Sequence, residues 1–190
     1  MKKILLIITL LITITGCSKY RELNELSIIS TITIAYEDNE YHLVLQEILP
    51  EKGENKVDYN YKYHESKSKS LDKAFNNIIG NSPKYIYLEK VQNVIIAEDE
   101  KEKITKTFFK YLKKNKDINP ESNYIISKNS LKKVLEISND YNYLSSILKK
   151  NKQTLKDLQK KIKKKQKLKI PVIKIDNKEI LFVKYNYLQV

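Results

Sequence analysis

Residues 28–49 read Ile28-Ile29-Ser30-Thr31-Ile32-Thr33-Ile34-Ala35-Tyr36, then Glu37-Asp38-Asn39-Glu40, then Tyr41-His42-Leu43-Val44-Leu45-Gln46-Glu47-Ile48-Leu49. Two runs rich in β-branched and apolar side chains flank four polar residues. Such side chains pack well on a pleated surface and crowd the turn of a helix. The polar tetrapeptide supplies the turn, so the stretch predicts a β-hairpin. Beyond it, Tyr59, Tyr61 and Tyr63 alternate with Asn60 and Lys62, which predicts a third strand with one aromatic face. Packing is the commoner use of such a face; an exposed aromatic strip for a ligand is the alternative.

Further along, the period changes from two to that of a helix. Leu71, Ala74, Phe75, Ile78 and Ile79 fall at i, i+3, i+4, i+7 and i+8 after Ser70, with Gly80 placed to close the helix. Asn81-Ser82-Pro83 marks a turn, and Tyr85 to Leu88 and Val91 to Ala97 read as extended, the second as a buried strand. Asp99 stands where it would cap a helix with the face Ile104, Phe108, Tyr111 and Leu112. Asn123 to Ser127 predicts a short strand and Ser130 to Ile137 a short helix. Leu144 to Gln166 is helical by pattern, with a break near Asn151, and Pro171 to Asp176 with Ile180 to Tyr185 predicts a hairpin around Asn177-Lys178. No repeat of 20 to 50 residues is present. The mixture predicts an α+β fold, a mostly antiparallel mixed sheet with packed helices.

The N-terminus has a different character. Met1-Lys2-Lys3 is basic, Ile4 to Ile14 is an apolar run of eleven residues, and Thr15-Gly16 is small. This is the layout of a secretory signal peptide; a membrane-spanning helix needs roughly 20 apolar residues. Ile14-Thr15-Gly16-Cys17 resembles the lipobox of bacterial lipoproteins, and that resemblance implies a thioether-linked diacylglycerol on Cys17, the new N-terminus. Two or more acyl chains hold a protein stably on a bilayer where one holds only marginally. Cys17 is the only cysteine, so no intramolecular disulfide can form. An unpaired thiol in an exported chain calls for an explanation of this kind.

Removal of residues 1–16 leaves 174, enough for one ordinary domain or two small ones. Three glycines and four prolines argue against linker-like disorder. The net charge of +13 becomes +11 once Lys2 and Lys3 leave. Between Lys149 and Lys169 lie eleven lysines and one acid, Asp157, so that stretch alone carries +10 and the rest is close to neutral. Three readings fit it: a solvated helix face above a stripe of Leu148, Leu155, Leu158 and Ile162, a surface for anionic lipid headgroups, and a nucleic-acid surface. Export and the absence of arginine, the commonest base reader, from this run argue against the third.

The residues that carry catalysis elsewhere do not assemble in this sequence. His42 and His64 lack a His, Cys or Asp neighbour at ligand spacing, so neither a zinc site nor a Cys-His pair is signalled; both are expected at the surface or on an edge. Gly53 and Gly80 stand alone, with no phosphate-binding loop. Ser66, Ser68 and Ser70 read as a helix entry, and Glu98-Asp99-Glu100 favours a helix N-terminus through its dipole. The expectation is a non-catalytic protein with no cofactor and no metal.

Several motifs in order resemble the GerC-type spore-germination lipoproteins, in which a lipobox cysteine precedes a Glu-(Leu/Ile)-Asn-(Asp/Glu)-Leu stretch. Here that stretch is Arg21-Glu22-Leu23-Asn24-Glu25-Leu26. Ser70-Leu71-Asp72-Lys73-Ala74 resembles the family's helix opening, and Ser82-Pro83-Lys84-Tyr85-Ile86-Tyr87-Leu88 with Val91 to Ala97 its next loop and strand. Thr154-Leu155-Lys156-Asp157-Leu158 before Leu168-Lys169-Ile170-Pro171 resembles the link out of its first domain. Ser18-Lys19 stands in place of the usual Trp-Asp, and Thr31-Ile32-Thr33-Ile34-Ala35 in place of a Gly-Ile-Gly-Ile-Asp-like run. The resemblance covers the N-terminal part of a family member, which is roughly twice as long.

What the resemblance implies is a lipoprotein subunit of a nutrient-germinant receptor. It would work beside integral-membrane subunits on the outer face of the cell membrane or the spore inner membrane, with no nucleic-acid partner. Cys17 would hold the anchor, and Arg21, Glu22 and Asn24 would form a membrane-proximal partner contact or, equally, cap and solubilise the first strand. The division expected is a signal peptide at 1–16, a lipidated tether at 17–27, the α+β domain at 28–150, and at 151–190 a lysine-rich helix and hairpin opening a second domain. A surface solute-binding or adhesive lipoprotein is the alternative, although solute capture usually needs two lobes around a cleft.

Overall fold

A computed structural model of the chain describes residues 22–51, 58–130, 133–134, 151–176 and 179–189. β1 (Leu26–Glu37) and β2 (Glu40–Glu51) form the expected hairpin, paired antiparallel from Glu37 with Glu40 as far as Ile29 with Glu47. Its loop is the two residues Asp38 and Asn39, with φ of 52° and 63°. Left-handed backbone at both loop positions matches the twist of the flanking strands, and Asp and Asn tolerate it better than most side chains. Thr31 and Thr33 lie within β1, 2 % and 0 % exposed, Thr31 just past a register shift in the β1–β2 ladder between Ile29 and Thr31. Where the resemblance would put glycines, β-branched residues extend the pleat.

β3 (Asp58–Ser68) pairs antiparallel with β2 over its whole length and forms one edge of the sheet. Tyr61 is half-buried and Tyr63 is 40 % exposed, so the tyrosine side of the strand packs only in part. α1 (Leu71–Asn81) follows, and the Ser70 hydroxyl accepts a hydrogen bond from the Lys73 amide at 3.2 Å. Leu71, Ala74, Phe75 and Ile78 are buried, but Ile79 is exposed. Gly80 does not end the helix: it sits inside the last turn without a positive φ, and Ser82, extended and followed by Pro83, ends it.

β4 (Tyr85–Tyr87) pairs parallel with the start of β1, and β5 (Asn93–Ala97) pairs parallel with its middle. α2 (Lys101–Lys114) buries Ile104, Phe108, Tyr111 and Leu112 as expected, together with Thr105 and Phe109. Its N-cap is Glu100, in the left-handed conformation and without a side-chain cap, so Asp99 stands one residue outside the capping position.

β6 (Asn123–Ser127) pairs parallel with β5. Of the helix expected at 130–137, Lys133 and Val134 are helical; residues 131, 132 and 135–137 lie outside the described set. Residues 144–150 of the long expected helix, Leu148 among them, lie outside it as well. Asn151 to Thr154 are not helical, and α3 (Leu155–Lys163) starts behind Thr154, whose hydroxyl accepts from the Asp157 amide at 3.1 Å and donates to the Asp157 carboxylate at 2.8 Å. β7 (Leu168–Asp176) and β8 (Glu179–Leu188) form the closing antiparallel hairpin, whose loop Asn177-Lys178 is also outside the described residues.

The order across the sheet is β3-β2-β1-β5-β6-β7-β8, with β4 beside the start of β1. The long antiparallel ladders lie at the two flanks and the parallel pairs in the centre. Each central crossover carries a helix, as parallel neighbours require: α2 between β5 and β6, α3 between β6 and β7. Residues alternate between two cores. Val94, Ile96, Tyr124, Ile126 and Val172 face the larger one with Phe75, Phe108, Leu155 and Leu158 of the helices, while Ile95, Ile125 and Ile173 face a smaller cluster with Val134 and Ile180. Strands buried on both sides read as continuous apolar runs, which is how 93–97 and 123–127 read. The stretch from Asn151 on, expected to open a second domain, adds α3, β7 and β8 to this same sheet and larger core.

Candidate functional site

Of the residues expected at the membrane-proximal end, Cys17 and Arg21 lie outside the described set. Glu22 caps, and Asn24 lies within, a single 3-10 turn, Leu23–Glu25, that leads into β1. The Glu22 carbonyl accepts from the Glu25 amide at 3.0 Å, and the Asn24 amide donates to the Glu22 carboxylate at 3.2 Å. Both side chains are exposed, and between them Leu23 is 77 % exposed. Leu26 pairs with Tyr85, itself 43 % exposed. The polar pair expected from the sequence therefore brackets one exposed apolar side chain, Leu23, and Tyr85 is a second exposed ring at the start of the β1–β4 pairing.

The two histidines form two Glu–His pairs that cross the β2–β3 ribbon in opposite directions. His42 of β2 pairs with Glu65 of β3, and His64 of β3 pairs with Glu47 of β2 at 2.7 Å. Val44 opposes Glu65 and Leu45 opposes His64 in the register, so the pairs occupy opposite faces of the sheet. The Glu47 side chain is only 4 % exposed and that of His64 11 %. The edge location expected for the histidines holds for His64, but each is engaged with a carboxylate rather than free in solvent. Sequence reasoning missed this because the partners are 17 and 23 residues away and meet only once the strand register is known.

Beside His64 lies a pocket of about 220 Å³ lined by Ser66, Asn77, Ile78, Asn81 and Ser82. The Asn77 amide donates to the Ser66 hydroxyl at 3.3 Å, and His64 is engaged by Glu47. No hydrogen bond joins Ser66 to His64, so the pocket offers polar contacts without a nucleophile held by its base. Among the described residues no group of three His, Cys, Asp or Glu side chains converges as a metal would need, and no helix is long and apolar enough to cross a membrane.

The interior polar groups serve the fold. Tyr124 is fully buried and donates its hydroxyl hydrogen to Thr105 at 3.0 Å, and burial pushes its phenol well above the ordinary range. Tyr111 stacks on Phe75 with ring centroids 4.2 Å apart; burial, with smaller contributions from Asp72 and Asp117, raises its phenol too. In the lysine-rich segment, Leu155 and Leu158 are buried and Ile162 packs partly against the core, while the lysines from 163 to 167 point to solvent. Lys156 pairs with Glu121 at 2.9 Å, which raises the ammonium above its usual range. Two backbone hydrogen bonds, from the Leu155 amide to the Ser122 carbonyl at 3.0 Å and from the Tyr124 amide to the Gln153 carbonyl at 2.9 Å, tie the entry of α3 to the start of β6.

Compared with known families, residues 19–175 match the spore germination protein N-terminal domain. No curated protein and no solved structure matches the chain.

Proposed function

This chain belongs to the family of spore germination protein N-terminal domains, and from that premise we propose that it is the membrane-anchored, non-catalytic lipoprotein subunit of a nutrient-germinant receptor. A role in spore germination follows from the family itself; the anchor, the receptor and the location are the finer reading. The observation that carries it is the match over residues 19–175, which begins two positions after Cys17. A diacylglyceryl group on Cys17 would keep the sheet domain on the outer face of the cell membrane or spore inner membrane. Arg21, Glu22 and Asn24, next to that tether, would then meet the integral-membrane subunits. The exposed Leu23 and Tyr85 supply the apolar contact that such an interface needs at its centre.

Deletion of the gene tests this reading. Nutrient-triggered germination should slow while heat resistance of the spores stays unchanged, and a copy with Cys17→Ala should restore germination poorly. A wild-type response in a strain without paralogues would overturn the receptor role.

A further inference from the structure

α2 and α3 enclose a groove of about 980 Å³. Its inner wall is apolar, from Phe109 and Leu112 of α2, Ile118 of the following loop, and Leu155 and Ile162 of α3. Its rim is basic. Lys106, Lys110 and Lys113 run along one side at i, i+4 and i+7 of α2, Lys116 continues the line, and Lys163 stands across from them on α3. All five are exposed, and no carboxylate lines the groove. Among the described residues none of the five has an acidic partner, whereas Lys114 and Lys156, just outside, pair with Asp72 and Glu121. A merely solvated helix face interleaves both signs; this one concentrates a single sign around an apolar slot.

We propose that the groove binds an anionic phospholipid, one acyl chain lying against the apolar wall and the headgroup phosphate held by the lysines. The apolar wall offers little accessible surface, since Phe109, Leu112 and Leu155 are 3 %, 6 % and 1 % exposed. An alkyl chain, far thinner than a helix about 10 Å across with its side chains, is the occupant that needs the least of it. The volume lies at the upper end of about 300–1,000 Å³ for pockets that enclose small ligands. Lysines on both walls suit a sheet of anionic headgroups, which draws basic segments to a membrane surface. The site is independent of Cys17 and of any receptor partner, so it goes beyond the role proposed above.

The test is photocrosslinking of the full chain on vesicles that carry phosphatidylglycerol with a diazirine in its acyl chain, with adducts mapped by mass spectrometry. Adducts should concentrate on α2 and α3 and fall several-fold when phosphatidylcholine carries the diazirine. They should also fall several-fold in Ile162→Asp and in the double variant Lys110→Glu/Lys113→Glu, with Lys73→Glu on α1 as a control that changes nothing. Should Ile162→Asp fail to fold, the lysine pair, exposed on α2, still decides the matter. Adducts spread evenly over the lysine-rich surface, or equal for the two lipids, would overturn the proposal. So would a stoichiometric acidic protein that protects the groove while the lipid leaves it unlabelled.

Discussion

The Nε2 atom of His64 and the Oε2 atom of Glu47 lie 2.7 Å apart across β2 and β3, with the carboxylate almost wholly out of solvent. A buried acceptor that loses its partner costs about 1–3 kcal/mol. His64→Ala should therefore lower the unfolding free energy measured by urea titration by that amount, and His64→Gln, which keeps a donor, should lower it less. A loss below about 0.5 kcal/mol, ordinary for a surface position, would show that Glu47 is satisfied by something else.

Gly80→Ala should stabilise the protein. Gly80 is helical and exposed, has no positive φ, and an added Cβ would meet nothing within 4 Å. Glycine inside a helix costs roughly 0.5–1 kcal/mol against alanine, so thermal unfolding should move upward by a few degrees. A downward shift would mean that the last turn of α1 does not persist in solution.

High pH should unfold the chain through its interior phenols. Burial raises Tyr124 and Tyr111 above the ordinary value of 10.0. The raised groups hold their protons in the folded state, so their stabilisation is complete below pH 10 and declines above it as the unfolded chain alone releases them. Absorbance at the phenolate band should rise first for the exposed tyrosines and then together with loss of helix signal. Full phenolate absorbance with the helix signal intact would contradict the burial of these rings.

Cys17→Ala should abolish metabolic labelling by a radioactive fatty acid. Labelling that persists in the variant would place the acyl group elsewhere or remove it from the account.

The hairpin, α1 and the closing hairpin could be read from periodicity because each buries one stripe of near neighbours: two β-branched runs for β1 and β2, and Leu71, Ala74, Phe75 and Ile78 for α1. Order within the sheet was not legible in that way. Val91 to Ala97 reads as a buried strand and Asn123 to Ser127 as a short one, but which strand each lies beside depends on contacts such as those between β1 and β5, some 60 residues apart in the chain. Small local competitions were also hidden. Asp99 and Glu100 are both acidic candidates at the start of α2, and the choice was made by the left-handed backbone at Glu100 rather than by a side-chain cap. Glycine commonly ends a helix, yet Gly80 stays inside α1, and Pro83 two residues past Asn81 limits how far the helix can run.

At the candidate site the same division holds. Glu22 and Asn24 were legible as a motif beside the tether, and the structure adds that they bond to each other. The Glu47–His64 pair and the groove between α2 and α3 are products of register and packing, which no local spacing encodes.

The strand order also has a meaning in time. Once the ribbon of β1, β2 and β3 exists, β5 adds to β1, β6 to β5, β7 to β6 and β8 to β7, each on the strand placed before it. A chain made N-terminus first can thus lay down its sheet in the order in which its strands are synthesised. No strand has to be pried apart to admit a later one, and the first hairpin, with its two left-handed loop residues, is the surface on which all the rest is laid.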